Sequence, residues 1–180
     1  MAKGIKYNIG IRALKKLINL KEQVRRFPLF NEVKEVLLAW DEGQLESDKN
    51  SIEKFIRFWK KNNIHIVKVI YFHKRKKDNI PPAPDENTLH LSRLDFNAFG
   101  MPKTVQVKKV MALQFDYFIN LNMDGRLPLK SIAGFSKSAC RIGYNRTKAI
   151  EFYDLLLGNP DNESMEQYIK DLEYYLQKIG

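Results

Sequence analysis

The chain has 180 residues, of which 31 are Lys or Arg and 21 are Asp or Glu, and its formal net charge is +10. Hydrophobic residues make up 44 % of the chain, which is enough for a folded core and excludes an intrinsically disordered protein. No apolar run approaches the roughly 20 residues of a membrane-spanning helix, and no signal-peptide core precedes Tyr7. Cys140 is the single cysteine, which excludes an internal disulfide. We therefore expect a cytoplasmic protein with one main domain.

The positive charge is concentrated in three blocks of the sequence. Residues 1–30 contain 8 basic and 1 acidic residues, residues 67–78 contain 5 and 1, and residues 127–150 contain 5 and none. The last 30 residues, 151–180, are acidic instead, with 2 basic and 7 acidic residues. Clustering of this kind favours an anionic partner such as RNA, although solubility alone can also select a net charge.

The first half of the chain is predicted to begin with a basic helix over residues 8–27, which Pro28 ends. Strands over 33–40 and 64–72 follow, and the helix between them, over 47–61, has apolar residues at helical spacing. The run from Val36 to Trp40 is apolar without alternation, which is typical of a strand buried on both faces of a parallel sheet. Three prolines within residues 80–84 predict a loop.

The second half continues the alternation of strands and helices. Its predicted elements are a short strand over 89–94, a helix over 103–113, a strand over 115–121, a helix over about 128–138, strands over 139–144 and near 152–157, and a last helix from about Ser164. The last helix has the longest apolar stripe at helical spacing. We expect it to pack against the sheet.

This order of elements predicts a three-layer α/β domain with a mainly parallel sheet, of Rossmann-like or flavodoxin-like type. We expect residues 1–28 to form a basic N-terminal helix or arm and residues 29–180 to form a single α/β domain. Three interpretations of residues 3–26 stay open: the segment binds RNA, lies on anionic lipid, or packs on the sheet with a charged outer face.

The exit of the strand over 115–121 is the best candidate for a ligand pocket. Open α/β sheets bind ligands beyond the carboxyl ends of their strands, and free backbone N–H groups at a helix N-terminus can bind phosphate. The candidate ligand-binding residues are Asn120, Asn122, Asp124, Gly125, Arg126 and Lys130. An ordinary Asp-Gly turn explains the same pattern and is favoured here, because no glycine-rich phosphate fingerprint is present.

The turn after the strand over 33–40 contains Asp41, Glu42 and Gly43. Two adjacent carboxylates repel phosphate unless a metal intervenes, so we interpret this segment as a solvent-exposed turn in preference to a metal site. No motif for a cofactor or a metal is found elsewhere, and we expect neither. Cys140 is expected to be a small buried residue and no nucleophile.

The basic blocks supply the candidates for nucleic-acid binding, because Lys and Arg neutralise phosphates. These candidates are Arg12, Lys15, Lys16, Arg25, Arg26, Lys74, Arg75, Lys76, Lys77, Lys137, Arg141, Arg146 and Lys148. Tyr144 lies among the last of them and is a candidate for stacking on a base, while an edge strand with exposed basic residues is the simpler interpretation.

Three sequence stretches carry a resemblance to known families: DFNAFGMPK from Asp95, FDYFINLN from Phe115 and SKSACRIGY from Ser136. With them, the chain resembles an uncharacterised family of single-domain α/β proteins in Bacteroidota. Residues 115–144 are also similar to part of the N-terminal domain of heptosyltransferases, which are glycosyltransferases with two Rossmann-like domains. The resemblance implies the fold and brings no activity with it.

Charge and fold class together lead us to expect a non-catalytic accessory protein that binds RNA, ribosomal RNA included, through its clustered Lys and Arg residues. One alternative is an enzyme or ligand-binding domain for a phosphorylated or sugar-like small molecule at the exit of the strand over 115–121. Another is a protein-interaction module that docks through the arm or the acidic last helix. The sequence does not indicate an oligomeric state.

Overall fold

A computed structural model describes residues 2–19, 25–43, 46–72, 85–145, 150–159 and 164–178. The helices in these ranges are α1 (Ala2–Asn19), α2 (Glu46–Lys61), α3 (Val105–Ala112), α4 (Leu127–Phe135) and α5 (Met165–Lys178). The strands are β1 (Glu35–Asp41), β2 (His65–Phe72), β3 (Thr88–Ser92), β4 (Tyr117–Asn120), β5 (Cys140–Tyr144) and β6 (Leu155–Leu157). The predicted alternation is confirmed, with most boundaries shifted by a few residues.

The six strands form one sheet in the order β3-β2-β1-β4-β5-β6, and every neighbouring pair is parallel. This is the strand order of a doubly wound Rossmann sheet, and it decides between the two fold types that the sequence left open. From β1 the chain continues to β2 on one side, whereas from β4 it continues to β5 on the other. The point between β1 and β4 is therefore the switch point of the sheet, where such folds bind ligands.

Helices cover both faces of the sheet, which makes three layers. On one face, α2 and α5 contribute Trp59 and Tyr168 to a core with alternate residues of β1. On the other face, α1, α3 and α4 contribute a second core. Residues of β1 alternate between the two cores, as the pleat of a strand requires. The unbroken apolar run of β1 is thus explained by burial on both faces.

Helix α1 belongs to the second of these helical layers, packed against α4. Its Leu14 and Ile18 are buried in the core on that face. The approach to α4 is so close that a Cβ atom placed on Gly134 would lie 2.1 Å from Ile18 Cδ1. The prediction of a helix up to residue 27 is wrong at its end, because residues 25–29 are not helical. The backbone N–H of Arg26 donates instead to the carbonyl oxygen of Ala139, 3.2 Å away.

The strand predicted over 89–94 is also shorter than expected. β3 ends at Ser92 and a 3-10 turn, Arg93–Asp95, follows it. The cause is the carboxylate of Asp95, which accepts hydrogen bonds from the backbone N–H of Ser92 at 2.7 Å and from its hydroxyl at 3.1 Å. The predicted loop at 80–84 lies outside the described residues.

Gly134→Ala tests the packing of α1 on α4. Alanine favours an isolated helix by about 1 kcal/mol over glycine, yet we expect this variant to lose about 1–3 kcal/mol of unfolding free energy, because the added methyl overpacks the contact with Ile18. Urea denaturation measures the loss, and Gln106→Ala on the exposed side of α3 is the control. Adding Ile18→Val, which removes the clashing Cδ1 atom, should restore part of the stability. An unchanged Gly134→Ala protein would contradict this packing.

Candidate functional site

A buried carboxylate marks the end of β1 at the switch point. The side chain of Asp41 is only 2 % exposed, because it lies on the same face of β1 as Leu37 and Ala39, under the layer that contains α4. Its Oδ1 atom accepts the backbone N–H of Gly43 at 2.8 Å. Its Oδ2 atom lies 2.8 Å from Nε of Arg126. The interpretation of this segment as a solvent-exposed turn is therefore wrong for Asp41.

Arg126 is placed by the loop between β4 and α4. Its backbone N–H donates to Oδ1 of Asn122 at 3.0 Å, and Gly125 between them has a φ of 67°, a left-handed conformation that suits glycine. The guanidinium then lies between two carboxylates, with Nε beside Asp41 and Nη2 3.8 Å from Oδ2 of Asp124. About a third of the Arg126 side chain remains exposed. The cation is thus fixed at the carboxyl ends of β1 and β4, with part of its side chain open to solvent.

Three buried polar atoms at this point have no hydrogen-bond partner among the described residues: Oδ2 of Asp41, Nε of Arg126 and Nδ2 of Asn122. Asp41 and Arg126 form an ion pair by distance, but the N–H is not directed at the oxygen, so neither atom is hydrogen-bonded. Asn122 is only 3 % exposed. Six side-chain atoms in the described part of the chain are buried without a partner, and half of them lie here. A buried polar atom with no polar contact costs about 1–3 kcal/mol, and Nδ2 of Asn122 is such an atom, whereas the ion pair offsets part of this cost for Asp41 and Arg126.

Tyr71 adds a hydroxyl group to the same edge of the sheet. Tyr71 is the last residue of β2 that pairs with β1, and its partner there is Asp41. Burial raises the pKa of Tyr71, and the negative charge of Asp41 raises it further. The phenol therefore stays protonated near neutral pH. Glu42, the next residue after Asp41, is half-buried and lies 3.4 Å from Nζ of Lys49.

Lys130 lies one turn into α4 and is joined to α1. Its side chain is only 2 % exposed, and its Nζ atom donates to the hydroxyl of Tyr7 at 2.9 Å. That hydroxyl donates in turn to the carbonyl oxygen of Gly125 at 3.4 Å. Burial lowers the pKa of Lys130 to about 8. This chain of contacts connects α1 to the loop that holds Arg126.

The six predicted ligand residues thus divide into two groups. Asn122, Gly125 and Arg126 come together at the carboxyl end of β4, with the exposed Asp124 beside Arg126. Asn120 and Lys130 are instead engaged within the fold. The amide of Asn120 donates to the hydroxyl of Tyr153 at 2.6 Å and its Oδ1 accepts the backbone N–H of Asn122 at 2.9 Å.

Sequence reasoning did not assign Asp41, Tyr71 and Tyr7 to this region. The one signal for Asp41 was its position directly after the most apolar strand. Tyr71 and Tyr7 carried no comparable signal, because their neighbours in space are far away in the sequence.

Two of the predicted nucleic-acid contacts are held inside the protein by one carboxylate. Arg141 is 6 % exposed, and its Nε and Nη2 atoms donate to the two carboxylate oxygens of Asp154 at 3.0 and 2.8 Å. Arg25 donates from Nη1 to the carbonyl oxygen of Ser138 at 2.6 Å, and its Nε lies 3.8 Å from Asp154. Both cations therefore stabilise the fold around β5.

The other basic candidates differ in what surrounds them. Lys15 pairs with Glu151, and the exposed Arg26 lies 3.8 Å from Asp116. Three candidates are exposed and have no ion pair to a described residue: Arg12, Lys16 and Lys137. Six lie outside the described residues: Lys74, Arg75, Lys76, Lys77, Arg146 and Lys148.

Tyr144 and Cys140, which both belong to β5, are buried. Tyr144 packs its ring edge-on against Tyr168, with 5.0 Å between ring centroids, and its hydroxyl donates to the carbonyl oxygen of Asn159 at 2.9 Å. Stacking of Tyr144 on a base is therefore wrong. Cys140 is buried as predicted, and burial raises the pKa of its thiol to about 12, which keeps it unreactive.

The described ranges contain neither a candidate metal cluster nor a membrane-spanning helix. No three His, Cys, Asp or Glu side chains there lie close enough together to hold a metal ion. None of the helices in those ranges is both long and apolar enough to cross a membrane.

Asp154→Ala tests whether Arg141 and Arg25 serve the fold. Removing the carboxylate leaves a buried guanidinium unpaired, so we expect a loss of about 3–5 kcal/mol in unfolding free energy by urea denaturation. Glu166→Gln in the exposed pair with Lys170 is the matched control and should leave the unfolding free energy nearly unchanged, because water screens this pair. Equal losses in the two variants would show that the buried cluster is not structural.

We expect Lys130 to make the stability of the protein depend on pH. Its pKa of about 8 in the fold lies below the ordinary value of 10.5, so between these values the unfolded chain binds a proton that the folded chain does not. Stability should therefore rise with pH across this window and fall as pH drops through about 8. Relative to Lys130→Met, wild type should gain about 3 kcal/mol between pH 8 and 10.5.

Urea denaturation of both proteins at several pH values measures this gain. The control compares wild type with Lys137→Met, which removes an exposed lysine. The difference in unfolding free energy between these two proteins should not change with pH across the window. A constant difference between wild type and Lys130→Met across the window would contradict the buried amine.

Comparison with known proteins gives one match. Residues 6–179 match the model of a family of unknown function, DUF6913. No curated protein and no solved structure matches the chain. Because the match extends from α1 to the end of α5, it includes both helical layers and the whole sheet. The chain therefore belongs to DUF6913, a family of unknown function.

Proposed function

We propose that this protein binds a small molecule with hydroxyl groups and an anionic group, of the sugar-phosphate or nucleotide type, in the crevice between the carboxyl ends of β1 and β4. The observation that supports the proposal is the set of three buried polar atoms without hydrogen-bond partners at the switch point. Nδ2 of Asn122 has no polar contact, and the ion pair of Asp41 and Arg126 is not a hydrogen bond, so a ligand that donates to or accepts from these atoms would lower the cost of burying them.

The chemistry of the three side chains defines the ligand class. Oδ2 of Asp41 is an acceptor and suits a sugar hydroxyl, whereas Nδ2 of Asn122 is a donor and suits a hydroxyl or phosphate oxygen. Arg126 supplies a fixed guanidinium, the group best suited to a planar hydrogen-bonded contact with phosphate or carboxylate. Acceptor, donor and cation within one small region favour a polar, mixed ligand over an apolar one.

The place of the anionic group within the crevice follows from the charges. Asp41 and Glu42 follow β1 and repel phosphate, so the turn after β1 is unsuited to the pyrophosphate of a dinucleotide. The N-terminus of α4 carries Arg126 and free backbone N–H groups instead. We therefore place the anion at α4 and the hydroxyl groups at Asp41.

RNA binding through clustered Lys and Arg residues is the weaker proposal for this protein. Among the predicted contacts that the structure describes, Arg141, Arg25 and Lys15 are engaged with acidic or carbonyl groups of the protein itself. The exposed candidates that remain are Arg26 near Asp116, Arg12 and Lys16 on α1, and Lys137 beyond α4, so within the described residues fewer cations are available to RNA than the sequence suggested.

Asn122→Asp tests the ligand site with minimal change of shape. The substitution keeps the oxygen that caps the N–H of Arg126 and replaces the unpaired donor Nδ2 with a charged acceptor. Calorimetric titration with inorganic phosphate, ribose 5-phosphate, glucose 6-phosphate and a nucleoside monophosphate should identify a phosphorylated binder of the wild type. For that probe, Asn122→Asp should raise Kd by at least about tenfold.

Asn97→Asp is the matched control, because Oδ1 of Asn97 also caps backbone N–H groups, those of Phe99 and Met101, in an exposed loop. Its Kd should equal that of the wild type. Failure of every probe to bind the wild type, or equal Kd values for wild type and Asn122→Asp, would overturn the proposal.

A further inference from the structure

The two helical layers of the protein differ sharply in charge. The helices α1, α3 and α4 contain eight Lys and Arg residues and no Asp or Glu. The helices α2 and α5 of the other layer contain seven basic and six acidic residues. Much of the net charge of +10 therefore belongs to one side of the molecule.

The outer surface of this basic layer is formed by α1 and α3. Every residue of α4 from Leu129 to Phe135 is buried, so α4 itself contributes little to the surface. On α1, Ile9, Arg12 and Lys16 are exposed and stand at i, i+3 and i+7, which places them along one side of the helix. This side of α1 carries cations next to aliphatic carbon.

Helix α3 repeats the arrangement. Val105 is followed by Lys108 and Lys109 at i+3 and i+4, and all three are exposed, whereas Val107 and Val110 are buried in the core. Both helices pack on α4, and we call their exposed residues Ile9, Arg12, Lys16, Val105, Lys108 and Lys109 together the α1/α3 face. None of its four cations has an ion pair with a residue that the structure describes.

Exposed apolar side chains collect on and beside this face. Seven of the eleven large apolar residues exposed in the described ranges lie in α1 or in segment 93–113: Tyr7, Ile9, Leu17, Leu94, Phe99, Val105 and Leu113. Val105 is 67 % exposed and Leu94 66 %. The loop of Phe99 contacts α1, since a Cβ on Gly10 would lie 2.7 Å from the carbonyl oxygen of Phe99. Concentrated exposed apolar groups of this kind mark an interaction surface.

We propose that the α1/α3 face binds the surface of a membrane rich in anionic phospholipid. Such a surface offers anionic headgroups to the lysines and an apolar boundary to the aliphatic side chains, so it satisfies both features at once. The contact is peripheral, with both helices lying on the membrane.

Other occupants fit the face less well. RNA pairs with the cations but leaves the aliphatic groups in water, and single-stranded RNA sites are built from aromatic side chains. A second copy docked by the same face would bring two basic surfaces together, because a two-fold contact uses the same patch on both subunits.

Vesicle sedimentation of the full chain tests the proposal. We expect binding to phosphatidylcholine vesicles that contain about 30 % phosphatidylglycerol, little binding to pure phosphatidylcholine, and release as salt rises to about 0.5 M. Each lysine near an anionic membrane strengthens binding about fivefold, so Lys108→Gln/Lys109→Gln should weaken it about 25-fold.

Lys60→Gln/Lys61→Gln is the matched control, because it removes two adjacent exposed lysines from α2 on the opposite layer. It should leave vesicle binding close to that of the wild type. If both double variants lose binding equally, net charge and no particular face is responsible, and the proposal is overturned.

Val105→Ser separates the lipid from RNA. It should weaken vesicle binding several-fold at constant charge, and it should leave any retention by poly(U) RNA unchanged. Retention by poly(U) without binding to anionic vesicles would assign the face to RNA and overturn the proposal. A concentration-dependent dimer in size-exclusion chromatography that the Val105→Ser substitution dissolves would assign the face to a second copy, with the same consequence.

Discussion

The ion pair between Asp41 and Arg126 joins the two halves of the sheet at their switch point. Asp41 ends β1, from which the chain continues to β2, and Arg126 precedes α4, which leads to β5. A buried ion pair is weak as a source of stability, because the cost of removing both charges from water offsets their attraction. The ion pair therefore matters less for the free energy of folding than for the position of its two charges, which are the groups on which the proposed small-molecule site depends.

The loop that holds this pair is supported from the side of α1 as well. Oδ1 of Asn122 caps the backbone at Arg126, and the carbonyl oxygen of Gly125 accepts the hydroxyl of Tyr7. Tyr7 is itself bonded to the buried amine of Lys130. Removal of α1 would expose Lys130 and release Gly125 together. The N-terminal helix is thus part of the framework of the candidate site, besides contributing its outer side to the surface.

The strands and helices were predictable from the sequence because each has a hydrophobic period that is local in the chain. The strand order was not, since periodicity does not specify which strands are neighbours. Asp41 is an example of a position that depends on strand order. In the sequence, Asp41 followed by Glu42 has the pattern of a solvent-exposed turn, and only the pairing of β1 with both β2 and β4 places Asp41 in the interior. Asn122 and Arg126 were predictable because they follow a strand and precede a helix, a pattern visible in the sequence.

The number of basic side chains that a partner can reach was not predictable from the sequence either. The guanidinium groups of Arg25, Arg126 and Arg141 each lie beside an aspartate, whereas the lysines of α3 stand in solvent. Guanidinium is weakly hydrated and matches a carboxylate in geometry, so arginine tolerates burial next to aspartate better than lysine does. A count of basic residues along the chain treats the two alike and overstates the charge that an anionic partner meets. Once the paired cations are set aside, Arg12 and Lys16 of α1 and the two lysines of α3 are the described cations that make this side of the molecule basic.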